Sequence, residues 1–233
     1  MNSEIFEYIR HARTLQLHAN LVKNKLLTPL DVALVGATGV GKSSTLNVLF
    51  GSDVADVGTG CEPQTQVVSR YQVGECLRLH DTAGFGDSRQ ADERHAKNLI
   101  KLLRQTCTAG ERRYYLIDLA LVVLDGGSRD LGTSYKLLMD VILPNIEPSR
   151  VLVAINKADR AMSGRYWDFG SGKPQSRLLD FLDEKVHSTQ ARIKEATGLN
   201  ITKPIYYSAE HDYQVDKLFD FITNNLPNTR RHI

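Results

Sequence analysis

Residues 31–50 read Asp-Val-Ala-Leu-Val-Gly-Ala-Thr-Gly-Val-Gly-Lys-Ser-Ser-Thr-Leu-Asn-Val-Leu-Phe, and this stretch decides the fold. Its opening, residues 31–35, is a mainly apolar run that predicts a short buried β-strand. A glycine-rich turn follows at once, and residues 42–50 predict a helix that ends at Gly51. A strand, a glycine-rich turn and a helix in this order are typical of phosphate-binding α/β domains.

The turn carries the pattern G-x-x-x-x-G-K-[ST] from Gly36 to Ser43. Its glycines let the backbone curl around a phosphate with successive N–H groups pointing inward, and the start of the next helix adds its dipole. In this pattern Lys42 reaches the β- and γ-phosphates and the Ser43 hydroxyl is a Mg²⁺ ligand. The predicted phosphate-binding residues are Gly39, Val40, Gly41, Lys42, Ser43 and Ser44.

Beyond this motif, apolar strands alternate with helices. The predicted strands are residues 67–73, 77–81, 119–124, 151–155 and 204–207, and the predicted helices are residues 91–106, 131–142, 178–196 and 215–224. This alternation predicts a mostly parallel α/β sheet covered by helices on both faces. Right-handed crossovers then place the functional loops at the carboxyl ends of the strands. We find no linker that divides the chain, and residues 164–174 are interpreted as a loop insertion.

Two motifs follow predicted strands in the second half of the chain. In Asn156-Lys157-Ala158-Asp159, the Asp159 carboxylate can accept hydrogen bonds from N1 and N2 of guanine, and the Lys157 stem can lie along the base. In Ser208-Ala209-Glu210, a backbone N–H can donate to guanine O6. Adenine does not present the same pair of donors, so the motifs favour guanine. The predicted guanine-binding residues are Asn156, Lys157, Asp159, Ser208 and Ala209.

A further motif, Asp81-Thr82-Ala83-Gly84, supplies an aspartate for Mg²⁺ and a glycine N–H that can sense a γ-phosphate. The four motifs together resemble those of the translation-factor-related P-loop GTPases, and within them the Era-like bacterial group. The resemblance implies a Ras-like G domain, with a sheet of six strands and flanking helices, over about residues 31–226. Residues 38–44 and 58–65 are similar to the YfjP/YeeP-type bacterial GTP-binding proteins.

The resemblance also assigns residues to hydrolysis. The switch I threonine of the family corresponds to Thr65, with Thr59 as the alternative. Thr65 would join Ser43 and Asp81 as a metal residue, and the catalytic residues would be Lys42, Thr65 and Gly84.

Two positions depart from the family pattern. Phe85 occupies the place of a water-orienting glutamine, so we expect slow intrinsic hydrolysis. Gly39 stands where several Era-like proteins have an asparagine that holds an activating K⁺, and glycine has no side chain for this. Arg89 and Arg129 are expected to be solvated loop charges, with stabilisation of the transition state as the alternative.

Residues 3–25 predict an amphipathic helix. Its apolar stripe consists of Ile5, Ile9, Leu17 and Leu21, widened by Phe6, Leu15, Val22 and Leu26. We expect this N-terminal segment, residues 1–28, to pack on the G domain of residues 29–233. A partner-binding or dimerising helix is the alternative.

Composition narrows the remaining possibilities. The net charge of +2 shows no bias toward nucleic acid, and the three cysteines form no C-x-x-C pair. No signal peptide or membrane-spanning run is evident, so we expect a cytoplasmic protein. The residues after Glu210 suffice for one helix but not for an RNA-binding KH domain. The closing Arg230-Arg231-His232 is interpreted as a solvated basic tail.

The sequence therefore predicts a GTP-binding molecular switch with slow Mg²⁺-dependent GTP hydrolysis. The alternative is a nucleotide-gated interaction module with negligible turnover of its own. Its expected ligands are GTP, GDP and Mg²⁺, and its expected partners are an unidentified protein effector or a second copy in a nucleotide-dependent homodimer.

Overall fold

The computed structural model describes residues 3–23, 28–50, 55–56, 68–73, 75–86, 88–109, 111–128 and 130–233. The strands in these ranges are β1 (Leu30–Gly36), β2 (Ala55–Asp56), β3 (Val68–Val73), β4 (Leu77–Thr82), β5 (Thr106–Ala109), β6 (Arg112–Tyr115), β7 (Leu119–Asp125), β8 (Val151–Asn156), β9 (Trp167–Asp168), β10 (Lys173–Pro174) and β11 (Ile205–Tyr206). The α-helices are α1 (Ser3–Lys23), α2 (Lys42–Phe50), α3 (Arg89–Leu103), α4 (Gly132–Lys136), α5 (Ser176–Thr197) and α6 (Val215–Asn224). Within the described ranges no helix is long and apolar enough to cross a membrane.

The main sheet has the strand order β11-β8-β7-β1-β4-β3-β2. Neighbouring strands are parallel from β11 to β4, while β3 runs antiparallel to both β4 and β2. The Ras-like α/β fold that the sequence predicts is confirmed. Six strands correspond to the predicted sheet, and the described residues add a seventh, β2, of only two residues. The carboxyl ends of the parallel strands meet at one edge, where the predicted motifs lie.

The helices cover both faces of this sheet. Because side chains alternate along a strand, Val32 and Leu34 of β1 point to one face, and Ala33 and Val35 point to the other. The first face packs against buried residues of α1, α2 and α6, and the second packs against residues of α3, α5 and the helix at residues 132–142. The sheet is thereby buried on both sides, which explains the continuous apolar runs in its sequence.

Two helices differ from their predicted form. Helix α3 ends at Leu103, and Thr106 opens the β5–β6 hairpin instead of continuing the helix. Threonine is β-branched and suits a strand better than a helix end. The predicted helix at residues 131–142 begins as α4 and continues as a π-helix from Leu137 to Ile142.

The prediction of a solvated basic tail is wrong. Arg230 and Arg231 are buried, with 7% and 4% of their surface exposed. Arg230 donates hydrogen bonds to the carboxylates of Asp118 and Asp31. Arg231 donates to the carbonyl of Ile117 at 3.1 Å. The buried carboxylates of Asp31 and Asp118 need positively charged partners, and Arg230 of the tail is such a partner for both.

Helix α1 packs on the domain through Leu17 and Leu21, which are fully buried. Arg13, also buried, donates to the carbonyl oxygens of Val48 and Leu49 at the end of α2. Leu15 and Val22 do not take part, so the prediction that they widen the packed stripe is wrong. They lie on the solvent side of the helix.

Candidate functional site

The loop between β1 and α2 has the backbone that its glycines predict. Gly39 and Gly41 have φ angles of +75° and +92°, a region that favours glycine. A Cβ atom on Gly41 would lie 2.4 Å from Nδ2 of Asn156, so the approach of these two segments also requires glycine. The predicted phosphate loop is therefore held closely against the end of β8.

Lys42, the first residue of α2, lies over this loop. Its Nζ donates to the carbonyl oxygens of Gly36 and Ala37 at 3.3 and 3.2 Å. One helical turn on, the Thr45 hydroxyl donates to the carbonyl of Gly41 at 2.7 Å and meets the buried Tyr207 hydroxyl at 2.6 Å. These contacts fix the first turn of α2, and with it the N–H groups that would face a phosphate.

Ser43 and Asp81 come together from α2 and β4. The Ser43 hydroxyl donates to Oδ2 of Asp81 at 3.4 Å. Oδ1 of Asp81 is buried and has no hydrogen-bond partner among the described residues. Burial raises the pKa of Asp81, and neither the charge of Lys42 nor the Ser43 hydrogen bond cancels that effect. A hydroxyl and an unsatisfied carboxylate oxygen are the hard donors that Mg²⁺ prefers, so these two residues fit the ion.

The segment after β4 is pressed against the phosphate loop. A Cβ on Gly84 would lie 2.4 Å from Oγ1 and 2.8 Å from the backbone N of Thr38. The Thr38 N–H donates to the carbonyl of Phe85 at 2.8 Å. Only glycine permits this approach at position 84.

Phe85 itself turns into the core. Its side chain is 5% exposed and packs edge-to-face on the ring of His95, with the ring centroids 5.8 Å apart. Nδ1 of His95 lies 2.7 Å from the Gly84 carbonyl oxygen. Position 85, which the family resemblance compares with a water-orienting glutamine, is thus a packing position in this fold.

Asn156 connects three segments at the carboxyl edge of the sheet. Its Nδ2 donates to the carbonyl of Val40 at 3.0 Å, and its Oδ1 accepts from the backbone N–H of Ala209 at 3.1 Å. The side chain is 2% exposed. Recognition of guanine O6 by the Ala209 amide stays a prediction, since this N–H is directed to Asn156.

Asp159 lies beside Ser208, so the two predicted guanine motifs meet. The Ser208 hydroxyl donates to Oδ1 of Asp159 at 2.6 Å, and Asp159 is 5% exposed. Lys157 has a left-handed backbone (φ +60°), and its Nζ lies 2.7 Å from Oδ2 of Asp125. Ser208 thus orients the Asp159 carboxylate, and Asp125 orients the Lys157 side chain.

Ser44, like its neighbour Ser43, is exposed. Arg89 is the first residue of α3, so the prediction that it lies in a loop is wrong. Its side chain is 94% exposed, as expected of a solvated charge, and pairs with Glu93 of the same helix at 3.3 Å. Thr65, Thr59 and Arg129 lie outside the described residues.

Sequence reasoning missed the roles of Asp125, His95 and Tyr207. Asp125 carried a signal, because it ends a predicted strand before Gly126-Gly127. The other two belong to no motif.

The chain matches the model of a protein family described as 50S ribosome-binding GTPase over residues 31–157, which is more than half of its length. It belongs to this family. The match begins at β1 and ends at Lys157, so it contains the phosphate loop, Asp81, Gly84 and Asn156. The chain is therefore a GTP-binding protein of the GTPase switch type.

Individual relatives agree with this family. The tRNA modification GTPase MnmE of Bacteroides thetaiotaomicron is 26% identical over 212 residues, covering 89% of this chain and 38% of that protein. MnmE of Opitutus terrae is 34% identical over 148 residues, covering 62% of this chain and 28% of that protein. The chain thus spans well under half of the length of these relatives.

Solved structures share the fold. Toc33 of Arabidopsis thaliana, in complex with Mg²⁺ and GMPPNP, matches with a TM-score of 0.63 and 18% identity, covering 98% of each chain. Era in complex with MgGDPNP and a segment of 16S ribosomal RNA matches with a TM-score of 0.50 and 21% identity, covering 84% of this chain and 56% of Era. At these identities the likeness concerns the fold alone.

Proposed function

We propose that this chain is a Mg²⁺-dependent molecular switch that binds GTP tightly and hydrolyses it slowly without a partner. The observation that carries the proposal is the junction at Asn156, which hydrogen-bonds the phosphate loop to the two loops bearing Asp159 and Ser208. A single ligand with phosphates at one end and guanine at the other would span these loops.

Guanine selection is assigned to Asp159. Its carboxylate is fixed by the Ser208 hydroxyl and can accept from the adjacent N–H groups on the guanine edge. A buried acceptor-only group discriminates strongly, because a base without matching donors would leave it unpaired. Lys157, held by Asp125, would place its stem along the face of the base.

Phosphate binding is assigned to the loop of residues 36–44. Lys42 would exchange the carbonyl oxygens of Gly36 and Ala37 for the β- and γ-phosphates. Ser43 and Asp81 would hold Mg²⁺, with Thr65 as the proposed third residue. When bound, Mg²⁺ neutralises charge that develops on the β–γ bridge. The Gly84 N–H would contact the γ-phosphate and couple its loss to movement of the segment after β4.

Slow turnover follows from Phe85. A buried phenyl ring neither reaches nor orients an attacking water. G domains without a partner protein turn over at roughly 10⁻⁴ to 10⁻² s⁻¹, and we expect this chain within or below that range.

A second candidate function is a nucleotide-gated interaction module, in which turnover alone is negligible and binding of a partner or a second copy is the output. The buried Phe85 favours it, because it leaves no catalytic side chain at the usual position. Turnover measured at several protein concentrations separates the candidates. A constant specific rate supports an independent switch, and a rate that rises with concentration supports a module activated by association.

The finer family assignment is also a proposal. Residues 38–44 and 58–65 support membership of the YfjP/YeeP type. We further propose that residues 1–28 form an N-terminal amphipathic helix packed on the G domain of residues 29–233.

The test is titration of the nucleotide-free protein with fluorescent GDP and a GTP analogue, with and without Mg²⁺, using ATP as competitor. Guanine-specific binding that ATP does not displace, strengthened by Mg²⁺, is the expected result. Lys42→Ala should lose triphosphate binding while its unfolding transition stays in place. Equal competition by ATP would overturn the guanine assignment.

A further inference from the structure

Helix α1 exposes a row of apolar side chains. Tyr8, Leu15 and Val22 are 75%, 56% and 61% exposed, and they follow one another at intervals of seven residues. Ala12 and Ala19 lie between them and are also exposed. Large apolar side chains on a surface are common singly, but a continuous row is typical of an interaction site.

The spacing of this row is that of a coiled-coil seam. The steps from Tyr8 to Ala12, Leu15, Ala19 and Val22 are four, three, four and three residues, the a/d repeat of a heptad. We call these five residues the α1 seam. A regular heptad pattern on the solvent side has no role in packing α1 on its own domain.

The packed face of α1 lies on the other side of the helix. Arg13, Leu17 and Leu21 are buried against the domain. At 100° per residue, these three positions lie roughly opposite the middle of the α1 seam. The helix therefore has two apolar faces, of which the domain covers one.

Arg13 prevents the helix from turning its second face inward. It donates to the carbonyl oxygens of Val48 and Leu49 at 3.0 and 2.9 Å, and to Asp216 of α6 at 2.7 Å. Rotation about the helix axis would break all three contacts and leave a buried guanidinium unpaired. The exposure of the α1 seam is thus a fixed property of the docked helix.

We propose that the α1 seam binds the α1 seam of a second copy of this chain as an antiparallel helix pair. The sizes of its residues are complementary in that orientation. When Ala12 faces Leu15 of the second copy, Ala19 faces Tyr8 of the second copy, so every alanine provides space for a large side chain. A parallel, in-register pair would instead set Leu15 against Leu15 and alanine against alanine.

The residues beside the α1 seam suit a self-pair. Between Tyr8 and Val22 its exposed flanks are His11, Gln16 and His18. None of the three is a carboxylate, a lysine or an arginine, so a self-pair brings no such like charges together at these positions, and a strongly acidic or basic partner would gain nothing. The seam is about 21 Å long, shorter than the standard interface of roughly 800 Å² per partner needs. The pair is therefore weak and depends on concentration.

Sedimentation velocity from low micromolar to several hundred micromolar protein tests the pair. Wild type should shift from monomer to dimer, and Leu15→Glu should stay monomeric. Ile233→Glu serves as the control, since Ile233 is 63% exposed but distant in sequence from α1; it should dimerise as wild type does. GDP binding, measured on each sample, verifies folding and is independent of this proposal, which does not rest on the nucleotide.

Disulfide trapping tests the orientation. Tyr8→Cys and Ala19→Cys proteins should cross-link when mixed and not when oxidised separately, with the wild-type chain as blank for its own cysteines. Cross-linking of each variant alone would overturn the antiparallel pair. A wild type that stays monomeric at every concentration, or a Leu15→Glu variant that dimerises equally, would overturn the self-pair altogether.

Discussion

The side-chain amide of Asn156 donates a hydrogen bond to the carbonyl oxygen of Val40 at 3.0 Å. This bond joins the end of β8 to the phosphate loop that follows β1, across the one strand, β7, that lies between them. Because Asn156 also accepts from Ala209, the three loops of the site keep one geometry. Asn156 thus acts in this structure as a connector of loops.

Asn156→Ala should lower both stability and nucleotide affinity. It leaves the buried Val40 carbonyl and the part-buried Ala209 N–H unpaired, and an unpaired buried group costs about 1–3 kcal/mol. We expect the free energy of unfolding in urea to fall by about 2 kcal/mol and GDP affinity to fall at least tenfold. Asn145→Ala removes an exposed hydrogen bond from Arg104 and a part-buried one to Val141, so it should lower stability, by a smaller amount, and leave GDP affinity unchanged. Equal GDP affinity in both variants would contradict the connector role.

Asp159→Asn should exchange base preference. The substitution replaces an acceptor with a donor on one side, which disfavours guanine and suits xanthine. A charged hydrogen bond contributes about 1.5–3 kcal/mol, so GTP affinity should drop by roughly 10- to 100-fold and xanthosine triphosphate should bind better than in wild type. Asp180→Asn, on the exposed surface of α5, is the matched control. The guanine assignment fails if titration shows GTP affinity unchanged.

Gly84→Ala should separate the segment after β4 from the phosphate loop. The new Cβ would overlap Thr38, including its backbone N, and strain of this kind costs typically 1–3 kcal/mol. We expect the affinity for a GTP analogue to fall more than that for GDP, because the Gly84 N–H is assigned to the γ-phosphate. Gly170→Ala, with no contact under 3.3 Å, should change neither. Equal losses for the two nucleotides would argue against a γ-phosphate sensor.

Asp81→Asn should stabilise the Mg²⁺-free protein. Burial raises the pKa of Asp81, so the folded state binds its proton more tightly than the unfolded state does. Stability from this group therefore increases as pH falls from neutral toward its ordinary pKa. Removing the charge should raise the free energy of unfolding by about 1 kcal/mol at pH 7 and weaken its dependence on pH. The gain in GTP affinity on adding Mg²⁺ should disappear. Urea unfolding in EDTA at several pH values measures the free energy of unfolding of the variant and of the wild type. A variant less stable than the wild type at pH 7 would contradict the prediction.

Arg230→Ala should be strongly destabilising. It removes the buried guanidinium that faces Asp118 and Asp31, and breaking such a pair costs about 3–5 kcal/mol. Burial raises the pKa of Asp118 despite Arg230, so the deficit should shrink in acid as this carboxylate is neutralised. Arg89→Ala, which removes an exposed ion pair, should stay within about 1 kcal/mol of wild type. Equal effects of the two variants on thermal or urea unfolding would disprove the buried cluster.

The sequence predicted the sheet well because its central strands are continuous apolar runs between glycine turns. It failed for β2 and for the β5–β6 hairpin, which are short and lack a clear period. It also failed for Arg230 and Arg231. Their charges looked solvated because nothing in the sequence shows that Asp31 and Asp118, far apart in the chain, share a buried space at the amino ends of their strands.

The site was predictable where function depends on local patterns. Ser43 with Asp81, and Asp159 with Ser208, could be assigned from motifs, and the structure places each pair in contact. The bridge from Asn156 to Val40 and the contact of His95 with Gly84 join distant segments. Such contacts depend on how strands and helices pack, so no local sequence pattern predicts them.

The burial of Phe85 limits the ways in which the proposed slow hydrolysis of GTP could become faster. A glutamine introduced there would leave its amide inside an apolar core, where it would have to find hydrogen bonds or move outward at the expense of packing. A single substitution at this position could therefore favour hydrolysis only at the expense of packing in the core. Faster GTP hydrolysis would therefore require changes elsewhere on the surface, or a catalytic side chain supplied by another molecule.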